Sequence, residues 1–418
     1  MSAPGARILR GFAALRPSVD KPHLVATRSY LTYSDYELRD KLERNPYSYL
    51  HVIHPAGMEG DDWSAPQERF VAIRGALDEF VANGWLARDE RKSLYVYRQI
   101  DGDHMCTGVV GIADISAAQR GDIKVHELTL RAREELFAGY LESVGINAEP
   151  ALLAYRDDSA SRAALATVVA GQAAADFTTT DRIRHTIWPV DIADEPALLN
   201  AIGGWEALYI ADGHHRLASS RLVAERHPDQ HDCHGFLAYC VPHTELLMRG
   251  FHRVVCAEDL PSVDTVLTAV RSLGVGVQAL GELEERAVRS ARQVDWYCGA
   301  SSASASGVLR LSIPGTMPIP AWLDQHLLAP LIGITEPRDD KRLSYLGGDA
   351  SEAEVAAVGE RENCWLFALE AMTFDELSEV ADRGGMLPPK STWIAPKLRS
   401  GLILFDFGAK CDWPKTKN

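Results

Sequence analysis

The chain has 418 residues, 46% of them hydrophobic and 24% charged, with a formal net charge of -15. That composition is ordinary for a globular protein, and the length is enough for two or three packed units. The acidic balance argues against a duplex-binding surface. No window approaches the roughly 18 uninterrupted apolar residues of a membrane span, so neither nucleic acid nor a membrane is an expected partner.

Seven cysteines, Cys106, Cys233, Cys240, Cys256, Cys298, Cys364 and Cys411, are scattered and include no Cys-x-x-Cys pair. The odd number and the scatter read as reduced thiols in a cytoplasmic protein. The first residues, MSAPGARILRGFAALRPS, carry arginines but no sustained apolar stretch, so no signal peptide is expected.

In chain order, YLHVIHP (49–55) reads as a strand-like run in which His51 and His54 are structural. Residues 66–83 place Phe70, Ile73, Leu77, Phe80 and Val81 at helical spacing, with Asn83-Gly84 as the stop. SLYVYRQI (93–100) and TGVVGIADI (107–115) alternate like paired strands around a turn at Asp101-Gly102-Asp103. REELFAGYLESVG predicts a helix, PALLAY (150–155) a strand, and the Ala-rich SASRAALATVVAGQAAAD another helix. RIRHTIWPVD (182–191) predicts a strand. DEPALLNAIGGW has Pro near its start and Gly-Gly after its end, as a helix should. LYIA (208–211) and HGFLAYCVP (234–242) are strands flanking a helix.

Beyond residue 260, SVDTVLTAVRSLG is helical, and QVDWYCG with GVLRLSIP predicts a hairpin around the low-complexity stretch 300–307. NCWLFALE predicts a strand, and TFDELSEVADRGG a helix opened by a Thr373–Glu376 capping box. Strands and helices interleave throughout, so the fold class is α/β or α+β with mixed sheets. The expected units are an N-terminal α/β unit over 1–155, a central unit over 156–260 and a C-terminal α/β unit over 261–418.

IADGHHR (210–216) concentrates the chemistry. A strand ends at Asp212-Gly213, and His214, His215 and Arg216 occupy the first turn of a helix. The first N–H groups of a helix have no internal acceptor and the macrodipole is positive there. Gly213 lets an anion approach the backbone, while two imidazoles and a guanidinium add donors. These are the parts of a phosphate cradle. Asp212 could cap the helix, hold magnesium or take a proton from a hydroxyl. The structural alternative is a turn whose histidines cap neighbouring strands.

GDIKVHELT (121–129) predicts a strand end with Glu127 and Thr129 on one face and His126 on the other, suited to general-base or metal chemistry. MLPPKSTWIAPKLRSG (386–401) carries Lys390, Ser391, Thr392, Lys397 and Arg399 on a Pro-stiffened loop. It lacks the glycine pattern of a P-loop, but a rigid loop with lysine and two hydroxyls suits an anion. YVYRQ (95–99) and GFHRVV (250–255) bring Arg98 and Arg253 at strand-like runs. HDCH (231–234) has no second cluster at zinc spacing and is read as structural.

Together, NPYSYLHV, YVYRQ, GDIKVHELT, RHTIWPV, IADGHHR, FHR and PPKSTWIAPKLRSGL resemble a bacterial and archaeal family whose hallmark is Ala-Asp-Gly-His-His-Arg. Some of its members are pyrophosphate-dependent L-serine kinases. The hallmark also resembles that of free serine kinases in the ParB/sulfiredoxin-like superfamily, which implies an element of that kind around the turn. The resemblance implies a cytoplasmic phosphotransferase using Mg2+ and pyrophosphate or ATP/ADP. In it Asp212, Glu127, His126 and Lys390 would be catalytic, with Asp212 the magnesium ligand. Gly213, His214, His215, Arg216, Arg253, Ser391, Thr392 and Lys397 would grip the donor, and Arg98, Thr129 and His185 the acceptor. Partners would be small molecules, with a homodimer left open. Two segments depart from the family pattern: TRSYLTYSD (27–35), where Pro-Pro-Tyr-Asp-Val-Val is usual, and Leu136-Phe137, where Asp-Arg is usual. The competing readings are a phosphate-metabolite or nucleotide sensor and a hydrolase of phosphate esters or pyrophosphate.

Overall fold

A computed structural model describes residues 8–55, 66–281, 290, 292–299 and 307–408. By its contacts the chain divides into two compact units, each a mixture of strands and helices. Unit 1 comprises the described residues within 1–125, 129–246 and 396–418, and unit 2 those within 126–128 and 247–395.

Unit 1 is built on a nine-stranded mixed sheet. Its elements are β1 (Leu9–Arg10), α1 (Pro66–Ala82), β2 (Tyr95–Asp101), β3 (His104–Asp114), β4 (Ile123–Lys124), α2 (Arg131–Val144), β5 (Ala151–Tyr155), α3 (Ser159–Val169), β6 (Ala175–Thr178), β7 (Arg184–Pro189), α4 (Glu195–Gly203), β8 (Leu208–Asp212), α5 (His214–Arg226) and β9 (Gly235–Pro242). The strand order is β4-β8-β5-β9-β3-β2-β7-β6, with β1 on β3. β8 runs parallel to β4 and β9 parallel to β5, while the other pairs are antiparallel.

The central strands carry near-continuous apolar runs because both faces are covered. Val96, Val109, Leu153, Ile210 and Phe236 pack with Leu165, Leu198, Ile202 and Leu217 from α3, α4 and α5. Each such side chain contributes roughly 1.5–3 kcal/mol by leaving water. The β2–β3 hairpin turns at the predicted Asp101-Gly102-Asp103, with Asp101 opposite His104 and Gly102 at φ 56°. α1 buries Phe70, Ile73, Leu77 and Phe80 of the predicted stripe against Tyr49, Val52 and Leu86, while Val81, one position beyond Phe80, turns off that face and is exposed.

Three local expectations differ. The Ala-rich stretch predicted as one helix is helical only over Ser159–Val169, and its end at Ala175-Asp176 begins strand β6, which pairs with β7. YLHVIHP is not a strand: Leu50–Ile53 is a short helix, begun where Ser48 Oγ accepts the Leu50 N–H at 3.3 Å. The strand predicted within GDIKVHELT stops at Lys124, and the chain beyond makes only an isolated parallel bridge between Glu127 and Leu387. The face assignment of His126, Glu127 and Thr129 by alternation therefore does not apply.

Unit 2 contains β10 (Leu247–Arg249), β11 (His252–Cys256), α6 (Val263–Ser272), β12 (Gly276–Ala279), β13 (Gln293–Tyr297), β14 (Val308–Ser312), β15 (Leu343–Leu346), β16 (Cys364–Leu369), α7 (Phe374–Asp382) and β17 (Trp393–Ala395). Six of these strands form an antiparallel sheet in the order β12-β14-β13-β16-β11-β15, and β10 pairs with β17. The predicted hairpin is β13–β14; residues 300–306 of its loop lie outside the described residues. Val266, Leu267 and Val270 of α6 pack with Trp296, Leu311, Trp365 and Phe367 of the sheet. Thr373 and Glu376 form the expected capping box at α7. Opposite each other across β13 and β14, Asp295 and Arg310 make a buried bidentate pair at 2.8 and 3.1 Å.

Cys256 and Cys364 correct the reading of the cysteines as all reduced. They stand directly opposite in the β11–β16 register and form a disulfide. Their separation of 108 residues hid the pairing, because only the sheet register brings them together. Among the described residues, no helix is long and apolar enough to cross a membrane.

Candidate functional site

In unit 1 the end of β8 and the start of α5 build the turn. The register along β5 shifts between Ile210 and Asp212, and the ladder ends with Asp212 opposite Leu152, just before the turn. Gly213 then takes φ 101° and ψ 27°, a left-handed conformation that disfavours any side chain. A Cβ on Gly213 would also lie 3.0 Å from Ala151 Cβ and 3.1 Å from Arg216 Nη1. Gly213 itself is the N-cap and no side chain caps the helix, so the capping role open to Asp212 is not used. The helix that follows spans 13 residues, long enough for its N-terminal N–H groups and dipole to act on an anion.

The turn's side chains have distinct partners. Asp212 Oδ2 receives Lys397 Nζ at 3.1 Å, and both groups are close to half exposed. Loss of water pushes the His214 imidazole down to about 4, with His215 adding to the effect and Asp212 opposing it. Arg216 does not point outward: Nη1 donates to Pro150 O at 3.0 Å and Nη2 donates to Glu149. Ser400 Oγ donates to the other oxygen of Glu149 at 3.2 Å. Gln99 Nε2 donates to Lys397 O at 3.2 Å.

Further along the same sheet, His185 is fully buried, stacked between Tyr97 and Phe177, with Nδ1 2.7 Å from the Tyr97 hydroxyl. Burial pushes its pKa down to about 3, and the Arg399 charge adds to this. Burial alone would raise the Asp181 carboxyl. Hydrogen bonds from Thr179 and Arg399, and the charge of Arg399, outweigh it and hold the group well below the usual carboxylate range. Arg98 lies over the Trp188 ring and donates to Thr107 Oγ1 at 2.9 Å. The Thr129 hydroxyl donates to Glu134.

Unit 2 brings together a second group. Lys390 is exposed and, although not glycine, has φ 58°. Its carbonyl accepts Arg253 Nη1 at 3.1 Å, and the same nitrogen donates to Phe251 O at 2.7 Å. The Lys390 ammonium lies 5.5 Å from the centroid of the Phe251 ring. Arg253 is 1% exposed and lies over Tyr345. Burial raises the Asp324 carboxyl to about 6 against the pull of Arg253. Ser391 is buried and its hydroxyl donates to Pro388 O at 2.7 Å, while Thr392 is half-buried. His126 is fully buried and its carbonyl accepts the Leu387 N–H at 2.7 Å; Glu127 bridges Leu387.

Of the residues predicted from the sequence, Asp212, Gly213, His214, His215, Arg216 and Lys397 gather at the turn in unit 1, and His126, Glu127, Arg253, Lys390 and Ser391 group in unit 2. Glu149 and Asp181 in unit 1, and Asp324 and Tyr345 in unit 2, had no motif to mark them, while Gln99 and Ser400 lay within YVYRQ and PPKSTWIAPKLRSGL but were not singled out there. The Glu149-Pro150 pair ahead of a strand was the only local cue for the first of these.

The fold is a mixed α/β architecture in which a strand hands over to a helix at a glycine-capped, cation-rich turn. The chain belongs to the family described as "Protein of unknown function (DUF1015)", whose model matches residues 9–304. No curated protein matches it. A solved structure of a free serine kinase in complex with AMP aligns at 16% identity over 72% of this chain and 92% of its own, with a TM-score of 0.39. C-terminally truncated SbnI from Staphylococcus aureus aligns at 9% identity over 68% of this chain and 82% of its own, also at 0.39. A conserved hypothetical protein from Pyrococcus furiosus aligns at 15% identity over 69% and 93%, at 0.37. At such TM-scores the likeness carries no argument about chemistry.

Proposed function

We propose that this chain is a phosphotransferase that moves a phosphoryl group from pyrophosphate or a nucleotide to the hydroxyl of a small metabolite, L-serine by the resemblance of its motifs. The observation that carries this reading is the Asp212–Gly213 turn. It combines an uncapped helix N-terminus, a left-handed glycine and a half-exposed carboxylate–ammonium pair in one place.

Phosphoryl transfer depends mainly on positioning and charge neutralisation. The N–H groups of the turn bind donor phosphate oxygens, and Lys397 neutralises charge beside them. Asp212 accepts the proton of the acceptor hydroxyl as its oxygen bonds to phosphorus. The bond from phosphorus to the bridging oxygen breaks, and phosphate or the shortened nucleotide leaves with that electron pair. His214, depleted of charge by its surroundings, donates or accepts a hydrogen bond there without adding a positive charge. Arg216 stabilises the turn through Glu149 and Pro150. By the motif resemblance, Lys390, Ser391, Thr392, Arg253, His126 and Glu127 serve the donor side or the transfer, and Arg98, Thr129 and His185 the acceptor side.

Magnesium is implied by the resemblance. Magnesium is commonly held by one or two carboxylates together with the phosphates of the substrate. Asp212, a half-exposed carboxylate at the turn, is the residue that would hold it, and the ion would neutralise charge on the donor phosphates; none of the steps above runs through it.

The test is phosphorus NMR of the purified protein with serine and magnesium, comparing pyrophosphate, ATP and ADP. A phosphoserine signal supports the reading and names the donor. Donor consumption without phosphoserine points to another acceptor or to hydrolysis, and binding without consumption to a sensor.

A further inference from the structure

The Asp212–Lys397 pair joins side chains 185 positions apart in the chain, each close to half exposed. An exposed lysine–carboxylate contact is worth little by itself and does not hold two long side chains in one geometry. Something else must fix it.

The segment that carries Lys397 is tied down at several points. Thr27 and Ser400 exchange backbone hydrogen bonds at 3.2 and 2.9 Å, and the Gly401 N–H donates to Ala148 O at 3.3 Å. That second contact lays residues 400–401 beside the lead into β5. Glu149 sits at this junction, and its carboxylate divides between two partners. One oxygen takes Arg216 of the turn helix and the other takes Ser400 Oγ. Arg216 in turn folds back beside Gly213, where its Nη1 occupies the space next to the missing Cβ. The carboxylate thus clamps the element that carries Asp212 to the segment that carries Lys397.

We infer that Glu149 is a positioning residue: it touches neither phosphate nor hydroxyl but sets the Asp212–Lys397 geometry through Arg216 and Ser400. For its catalytic consequence this inference rests on the phosphotransferase reading; for the geometry it does not. Glu149→Gln keeps the shape and the acceptor for Ser400, but removes the charge that holds Arg216. Ser400→Ala removes the other arm alone.

The experiment uses the full-length protein and two readouts. The first is the acylation rate of Lys397 by a water-soluble active ester, followed by peptide mass spectrometry. A lysine released from Asp212 reacts faster, so Glu149→Gln is expected to raise the rate about 3- to 10-fold, Ser400→Ala less, and Glu149→Asp least. The second is steady-state kinetics in the assay above. Misplacement of a reacting group on the order of 1 Å can cost about 100-fold. Glu149→Gln is therefore expected to lower kcat roughly 10- to 100-fold with donor KM within about 3-fold of wild type, and Glu149→Asp to recover part of the loss. Wild-type labelling rates in both Glu149→Gln and Ser400→Ala would overturn the inference, whatever the kinetics. If Glu149→Gln does not fold, Ser400→Ala alone decides it by the same labelling criterion. If the wild type transfers no phosphoryl group but the labelling rises, the clamp stands and the proposed reaction falls.

Discussion

The turn at 212–216 in unit 1 and the loop at 388–392 in unit 2 both present cations on a backbone with a left-handed residue, yet they are built by different means. At the turn the left-handed position is Gly213, and the geometry comes from a strand handing over to a 13-residue helix. Its arginine is partly exposed and paired with a carboxylate. At the loop the left-handed position is Lys390, a residue that does not favour it, and a buried arginine holds its carbonyl in place. The backbone of the first site is set by secondary structure and that of the second by tertiary hydrogen bonds. The same surface chemistry can therefore differ in what keeps it in place, and substitutions separate the two.

The largest expected effect is catalytic. Asp212→Asn removes the proton acceptor at the turn while keeping its size. General acid–base loss of this kind costs about 100- to 10,000-fold. Turnover should fall into that range with little change in stability, as read by the phosphorus assay and by thermal denaturation. A variant within a few-fold of wild type would move the base elsewhere.

Next come the two arginines. Arg253→Met leaves the Phe251 and Lys390 carbonyls without their buried donor and is expected to destabilise by about 3 kcal/mol. Arg216→Met removes a partly exposed pair and should cost about 1 kcal/mol. Urea denaturation measures both, and a larger cost at Arg216 would break the comparison.

Acid should separate the units by sign. His185 and His214 are held below their ordinary value, at about 3 and about 4. Their contribution is complete above about pH 6.5 and is lost as pH falls through those values. Asp181, also held low, adds a loss below its unfolded value near pH 4. Asp324 is raised to about 6, so its contribution is present below about pH 4 and lost as pH rises through 6. Going from pH 7 to pH 5 should weaken unit 1 and strengthen unit 2, each by about 1–2 kcal/mol. Hydrogen exchange at the two pH values, read by peptide, checks the signs. His185→Phe should flatten the response of unit 1.

The smallest effect is at Lys390. Glycine tolerates φ 58° better than alanine does. Lys390→Gly should therefore be more stable than Lys390→Ala by about 1 kcal/mol, and both should lose the same ammonium. Equal denaturation midpoints would mean that the loop relaxes out of the left-handed conformation.

Much of the fold was legible because its signals are local. The stripe of Phe70, Ile73, Leu77 and Phe80, the hairpin at Asp101–Gly102–Asp103 and the Thr373–Glu376 cap each lie within one or two turns of chain. The Asp-Gly-His-His-Arg turn was legible for the same reason, since a strand, a glycine and a helix start are adjacent in sequence. The helix at 50–53, the isolated bridge of Glu127 and the strand at 393–395 were not, because short segments take their conformation from whatever pairs with them.

Periodicity, glycine placement and capping residues determine where the elements of this protein start and stop, and that a cation-rich helix N-terminus follows Asp212. The tertiary structure alone decides which charges meet. It pairs Lys397 with Asp212, divides Glu149 between Arg216 and Ser400, buries Arg253 behind Lys390 and brings Cys256 opposite Cys364. Helix and turn preferences act over a few neighbouring residues, whereas ion pairs and sheet register depend on distances in space that sequence separation does not encode.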